Sequence, residues 1–387
     1  MRTLKVIATL GTVTLVLAAC GSGDDGGSDG DLIGSGSGDE CTIDTAIPIG
    51  AALSLTGGAA SYGESQQKGL DLAVAHLEEA GGLSYDLTVE DDQTDPRQGI
   101  TVFEDFVGDD ASIVIGPTLS NVAFQAQPVA QESGLPVLAI SNTSEGITEQ
   151  GEYIFRNSLT EGQVIPQTVA TAAEAFDLDE VVVMYSNDDA FTEDGYRVFA
   201  ESLEDEGVEV SNTLTFSVDD TDFRALLTEA GNADPDAIVV SGLIEAAIPL
   251  VTQAREAGID VPIIGGNGFN NPQLMSDAGG AAEGVVVGAA WNSGSENAEN
   301  ADFLQAFEDE YGHGPDQFAA QAYAAMTIID VAVRHNCSGE RDDIQDGLNN
   351  IEELPTVLGP VTINDARDAE HEPVVQVVED GAFTVLD

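Results

Sequence analysis

The sequence predicts an α/β protein of two doubly wound, parallel-sheet lobes. Strand and helix patterns alternate along the chain in two consecutive series. Unbroken apolar runs such as Val181-Val182-Val183 and Ile238-Val239-Val240 suit strands covered on both faces. Beyond a polar N-terminal stretch, about 345 residues remain, enough for two domains. At 42% hydrophobic residues, the chain can fill two cores.

In order, the first series opens with a strand over 47–55. A helix over 62–80 follows, with Leu70, Ala73, Val74 and Leu77 on one face. After a strand over 87–90, Asp95-Pro96 marks a helix start, an N-cap with proline at the first position. Ile100, Phe103 and Val107 then repeat at helical spacing. A strand over 112–115, a helix over about 122–132 and a strand over 136–140 complete this series. A short strand at 153–157 leads into the second. It reads as helix 163–176, strand 181–185, helix 194–206, strand 209–216, helix 222–229, strand 237–240 and helix 247–257. Strands over 261–264 and 284–288 close it. Two helices, 302–311 and 317–334, precede shorter strands that include 374–378 and 382–386.

The N-terminus has its own pattern. Arg2 and Lys5 precede an apolar run over 6–19, too short to span a bilayer but right for a signal peptide. It ends in Leu17-Ala18-Ala19-Cys20 before Gly21, which resembles a lipobox and implies cleavage before Cys20 and lipidation of its thiol. Residues 21–42 are rich in Gly, Ser and Asp and read as a flexible acidic tether. The mature chain is expected at the extracellular face of the membrane, held there by the lipid alone.

Charge excludes one partner class. Seventy acidic residues oppose 11 basic ones, a formal net charge of -59 that repels nucleic acid. The acids are spread over the predicted helix faces, as at Glu201, Glu204, Asp205 and Glu206, and the only lysines are Lys5 and Lys68. This resembles the proteins of extreme halophiles, haloarchaea among them, in which high salt screens self-repulsion. Folding is therefore expected to need salt.

Of the three cysteines, Cys41 and Cys337 remain if Cys20 is lipidated, and an even pair outside the cell favours a disulfide. Spacing alone does not show that they meet. No Cys or His lies at metal-ligand spacing, and no cofactor is expected. Catalysis finds little support either. His76, His313, His335 and His371 sit in no G-x-S-x-G or H-E-x-x-H setting. Asp91 and Asp92 are neighbours on a strand end and point apart, which disfavours an acid/base dyad. The glycines of 34–38 belong to the tether, with no strand before and no helix after them.

Several short motifs, in order, carry a family resemblance. They are Leu53-Ser-Leu-Thr-Gly57 with Tyr62-Gly63, Gly81-Gly82, Asp91-Asp92 through Asp95-Pro96, Ile115-Gly116-Pro117 with Ser120, and Gln253-Ala-Arg-Glu-Ala-Gly258. With them the chain resembles the leucine/isoleucine/valine-binding family of type I periplasmic binding proteins over nearly all of 43–387. The resemblance implies two lobes joined by three crossovers, near Arg156, Trp291 and Leu358, with a ligand cleft between them. It places lobe 1 at 43–155 plus 292–358 and lobe 2 at 156–291 plus 359–387, after a signal peptide at 1–20. It implies a receptor that closes on a small solute and docks on an ABC permease driven by its ATPase subunits. A sensor domain of the same fold is the alternative, and a hydrolase on this fold a distant third.

The resemblance also places a site. Ser120 matches a serine that binds the ligand carboxylate at a helix start, where free N–H groups attract anions. A helix N-cap is the plainer role for it. Ser141 and Thr143 match a second carboxylate- and ammonium-binding element, Tyr62 a tyrosine flanking the cleft, and Phe191 an aromatic wall. Two positions depart from the pattern. Asn267 falls where amino-acid binders carry an acid for the ammonium, and Leu243 where they carry a tyrosine. The carboxylate half of the site is thus retained and the ammonium half weakened, which opens the ligand to amino acids, carboxylates or amides. Thr94 and Leu119 replace the family's usual first-lobe cysteines, for which Cys41 and Cys337 would substitute. A glycan on the Asn142-Thr143-Ser144 sequon would block this cleft, so Asn142 is expected bare.

Overall fold

The computed structural model describes residues 32–386. The signal peptide, Cys20 and the first part of the tether lie outside them.

A first series comprises β1 (Ile47–Leu53), α1 (Ala60–Glu79), β2 (Tyr85–Asp91), α2 (Pro96–Gly108), β3 (Ile113–Ile115), α3 (Ser120–Glu132), β4 (Val137–Ala139) and β5 (Ile154–Arg156). Its strands form a wholly parallel sheet in the order β2-β1-β3-β4-β5. Ile47, Ile49, Ala51 and Leu53 of β1 bury one face, and Ala52 with Val114, Val137 and Ala139 bury the other. That two-sided burial is what the unbroken apolar runs require.

The second series runs α4 (Glu161–Phe176), β6 (Glu180–Ser186), α5 (Ala190–Glu206), β7 (Glu209–Phe216), α6 (Arg224–Asn232), β8 (Ala237–Ser241), α7 (Ile244–Glu256), β9 (Ile263–Gly265), α8 (Gln273–Ala278) and β10 (Val285–Ala289). α9 (Ala298–Tyr311), α10 (Gln317–Asn336) and α11 (Arg341–Leu348) follow, and α10 packs against α1 of the first lobe. The chain ends with β11 (Leu354–Thr356), β12 (Gly359–Ile363), β13 (Ala369–Glu370), β14 (Val374–Glu379) and β15 (Ala382–Val385). The second sheet has the order β15-β14-β10-β9-β8-β6-β7. It is parallel from β7 to β10, with β14 and β15 added antiparallel. Val182 and Met184 face one core and Val181 and Val183 the other.

The architecture is thus the two doubly wound sheets that the alternation predicts. The third return differs from the expected one near Leu358. Val361, Ile363 and Ala369 pack into the first lobe's core, and the chain joins the second sheet only from β14 onward. The crossing lies at 371–373, because the small sheet β11-β12-β13 buries its apolar face under α10 before the chain leaves.

The expected tether is also shorter at its downstream end. Residues 32–42 are fastened to the end of α10. Gly34 N–H donates to Cys337 O at 2.9 Å and Gly339 N–H to Leu32 O at 2.9 Å. Cys41 and Cys337 are joined in a disulfide, 296 residues apart in sequence. Among the described residues, no helix is long and apolar enough to cross a membrane.

Candidate functional site

Both parallel sheets reverse direction of winding next to their first strand, between β1 and β3 and between β6 and β8. Such switch points leave a crevice at the carboxyl ends of the strands. Here the loops from those ends meet around one cavity. The first lobe contributes Tyr62, Thr118, Leu119, Ser120, Ser141 and Phe318; the second contributes Asp189, Phe191, Leu243, Asn267 and Gly268.

On the first-lobe side, the loop after β3 is fixed by buried polar groups. Ser54 N–H donates to Thr118 Oγ1 at 2.9 Å, and that hydroxyl donates to Gln66 Oε1 at 2.7 Å. Gln66 Nε2 donates to Ser141 Oγ at 2.7 Å, and Ser141 Oγ donates to Thr118 O at 2.6 Å. α1 can approach so closely because residue 63 is glycine; a Cβ there would lie 2.0 Å from Ser54 O. The loop delivers the start of α3 to the cavity. Ser120 is the first residue of that helix and not its cap. The cap position is Leu119, which has no group to accept an N–H, so no side chain caps the first turn. The helix end is left electropositive toward the cavity.

Tyr62 bolts the two lobes together. Its hydroxyl donates to Gly268 O at 2.6 Å and accepts from Ile244 N–H at 2.8 Å. Its ring packs on Phe318, 4.7 Å between centroids. Phe191 and Leu243 line the facing wall, both 6% exposed. Asn267 Oδ1 accepts from Gln317 Nε2 at 2.6 Å. Gln317 Oε1 accepts from Asn270 and from Ala290 N–H, and Asn270 Oδ1 accepts from Gln376, whose Oε1 accepts from Asn292. A chain of amides therefore runs from the cavity to the second crossover.

Of the residues expected at the site, Tyr62, Ser120, Ser141, Phe191, Leu243 and Asn267 share this cavity, and Thr143 does not. The loop after β4 turns Thr143 toward Glu161 at the start of α4, with Glu161 N–H donating to Thr143 O at 3.0 Å. Burial pushes the Glu161 carboxyl up to about 7, against a lowering by the Thr143 hydroxyl. Glu245, in the first turn of α7, is likewise pushed up to about 7 by burial. Arg156, 1% exposed, pins the same loop through Asn142 O at 2.9 Å and Ser144 O at 2.7 Å, and pairs with Asp368 at 2.8 Å. Asn142 is wholly buried.

Thr118, Leu119, Asp189, Gly268 and Phe318 also line the cavity and were not foreseen. Asp189 had a visible signal, an acid just after a strand and at a helix start. Among the described residues, no group of His, Cys, Asp and Glu could hold a metal ion.

Two switch-point crevices closed on one small cavity define a two-lobed receptor for a small solute. The chain belongs to the periplasmic binding protein family, whose model matches residues 46–382. It is 26% identical to a Leu/Ile/Val-binding protein homolog of Brucella abortus over 327 residues, 83% of this chain and 87% of that one. It is 27% identical to a branched-chain amino acid transporter substrate-binding protein of Streptococcus pneumoniae, solved with isoleucine, at a TM-score of 0.83 over 88% of this chain and 98% of the other. The fold is also that of an ABC transporter solute-binding protein from R. palustris solved with benzoate, with 23% identity, a TM-score of 0.81, and coverage of 88% and 96%. The chain is a solute-binding protein and not an enzyme.

Proposed function

We propose that this chain is a lipid-anchored receptor at the extracellular face of the membrane. It captures a small carboxylate-bearing solute between its lobes and delivers it to an ABC permease and its ATPase subunits. The uncapped N-terminus of α3 at the cavity carries this reading. A carboxylate docked there satisfies the first-turn N–H groups, with Ser120 donating from its hydroxyl. Tyr62, Phe191 and Leu243 enclose the apolar part, and Ser141 holds the loop in place. Isoleucine and benzoate, bound by the two structural relatives, share that carboxylate. The anchor would be Cys20, and the acidic surface suits a halophilic setting.

A thermal-shift screen in molar salt tests this. The panel holds branched-chain amino acids, short aliphatic carboxylates, benzoate and small amides. A ligand of the folded state raises the melting temperature. Carboxylates are expected to raise it by several degrees, and Ser120→Ala to shrink the shift. Stabilisation by neutral amides alone would remove the carboxylate from the reading.

A further inference from the structure

Among the residues lining the cavity, Asp189 carries the one charged side chain; no Lys, Arg or His faces it. Asp189 is 4% exposed. Its Oδ1 accepts from Thr192 N–H at 3.0 Å, which caps α5, and its Oδ2 accepts from Asn121 Nδ2 on α3 of the facing lobe. Asn121 Oδ1 in turn accepts from Ala190 N–H at 3.0 Å. These donors are all neutral. Arg156 is engaged with Asp368, and Arg197 with Asp194 and Glu145.

Burial pushes the Tyr62 hydroxyl up, and Glu245, Asp189 and Asp316 add to it. Burial also pushes the Asp189 carboxyl up. A buried carboxylate without a cation is costly, and a ligand that brings the cation removes that cost. Asn267 does not answer for an amine, because it is uncharged and its Oδ1 is already held by Gln317.

We propose that Asp189 is a specificity-determining residue that receives the protonated amine of the solute, so that the cleft selects amine-bearing carboxylates over plain ones. The inference rests on the carboxylate docking at α3 described above. The two charges of a zwitterion then meet opposite ends of one cavity: the bare end of α3 and the carboxylate that caps α5.

The test compares isoleucine with 3-methylpentanoate, the same skeleton without the amine, by titration calorimetry on the full-length protein in molar salt. The wild type is expected to bind isoleucine at least tenfold more tightly. Asp189→Asn keeps the size and the helix cap without the charge. It is expected to weaken isoleucine at least tenfold and leave 3-methylpentanoate within threefold. Asp189→Ser, a second uncharged cap, must give the same pattern, so that poor folding of one variant does not decide the matter. Equal weakening of both ligands would mark Asp189 as structural and overturn the proposal. So would an undiminished preference for isoleucine in either variant. A wild type that prefers 3-methylpentanoate or benzoate overturns this proposal but leaves the carboxylate reading standing. A wild type that binds no carboxylate at all overturns both.

Discussion

α3 and α5 occupy matching places in the two lobes, and each points its N-terminus at the same cavity. Their ends differ at the cap position. α5 is capped by Asp189, whose carboxylate takes the Thr192 N–H; α3 is preceded by Leu119, which takes nothing. A capped helix end is neutralised from within and shows its cap's charge to the cavity. A bare end keeps its N–H groups for whatever enters. The cleft is thus made polar by a leucine in one lobe and an aspartate in the other.

The sharpest way to break this comparison is to make the two ends alike. Leu119→Asp would give α3 its own cap and set a second carboxylate in the cavity. Like-charge juxtaposition costs several kcal/mol, so carboxylate ligands are expected to lose about 100-fold or more in affinity by calorimetry. Leu119→Ala, which loses packing but adds no charge, should stay within about tenfold. If Leu119→Asp binds as the wild type does, α3 is not the carboxylate's partner.

A smaller effect is expected from Tyr62→Phe. It strands Gly268 O and Ile244 N–H in the closed interface. Leaving buried groups unpaired costs about 1–3 kcal/mol, so affinity should fall roughly tenfold for every ligand alike. An unchanged affinity would show that these bonds do not favour the closed state.

The smallest effect is on pH. The carboxyls of Glu161 and Glu245 are raised from 4.5 to about 7. A raised acid holds its proton in the folded chain after the unfolded chain has released it. Its stabilisation is present below about pH 4.5 and is lost as pH rises through 7. Melting temperature at fixed salt should therefore fall between these limits, and Glu161→Gln or Glu245→Gln should each flatten the slope. A slope identical to that of the wild type would place the proton elsewhere among the acids.

Much of the fold was legible because buried parallel strands write themselves as runs such as Val181-Val182-Val183, each flanked by a helix of the right period. α11 was missed because its few buried positions, Ile344, Gly347 and Leu348, leave little pattern in an acidic segment. The third crossing was misplaced because β12 and β13 look like any edge strands until α10 covers them. Ser120 and Phe191 line the cavity, each a few residues past the end of its strand. Thr143, only two residues past Ser141, was turned away by the Arg156 clamp on its loop. Phe318 comes from a helix far along the chain, and no local pattern points it at the cavity. Asp189 stood at a telling place, after a strand and at a helix start, and was passed over as one acid among 70.

The fastening of residues 32–42 to α10 has a mechanical consequence. β1 lies between β2 and β3, so peeling it away would split the first sheet down its middle. A pull arriving from upstream of residue 32 first meets the short bridges at Gly34 and Gly339 and then the Cys41–Cys337 bond. Beyond that bond the load passes into the end of a 20-residue helix packed along α1, and not into the hydrogen bonds of β1. The covalent link is a strain relief: the sheet that shapes the cavity sits behind it, out of the line of force.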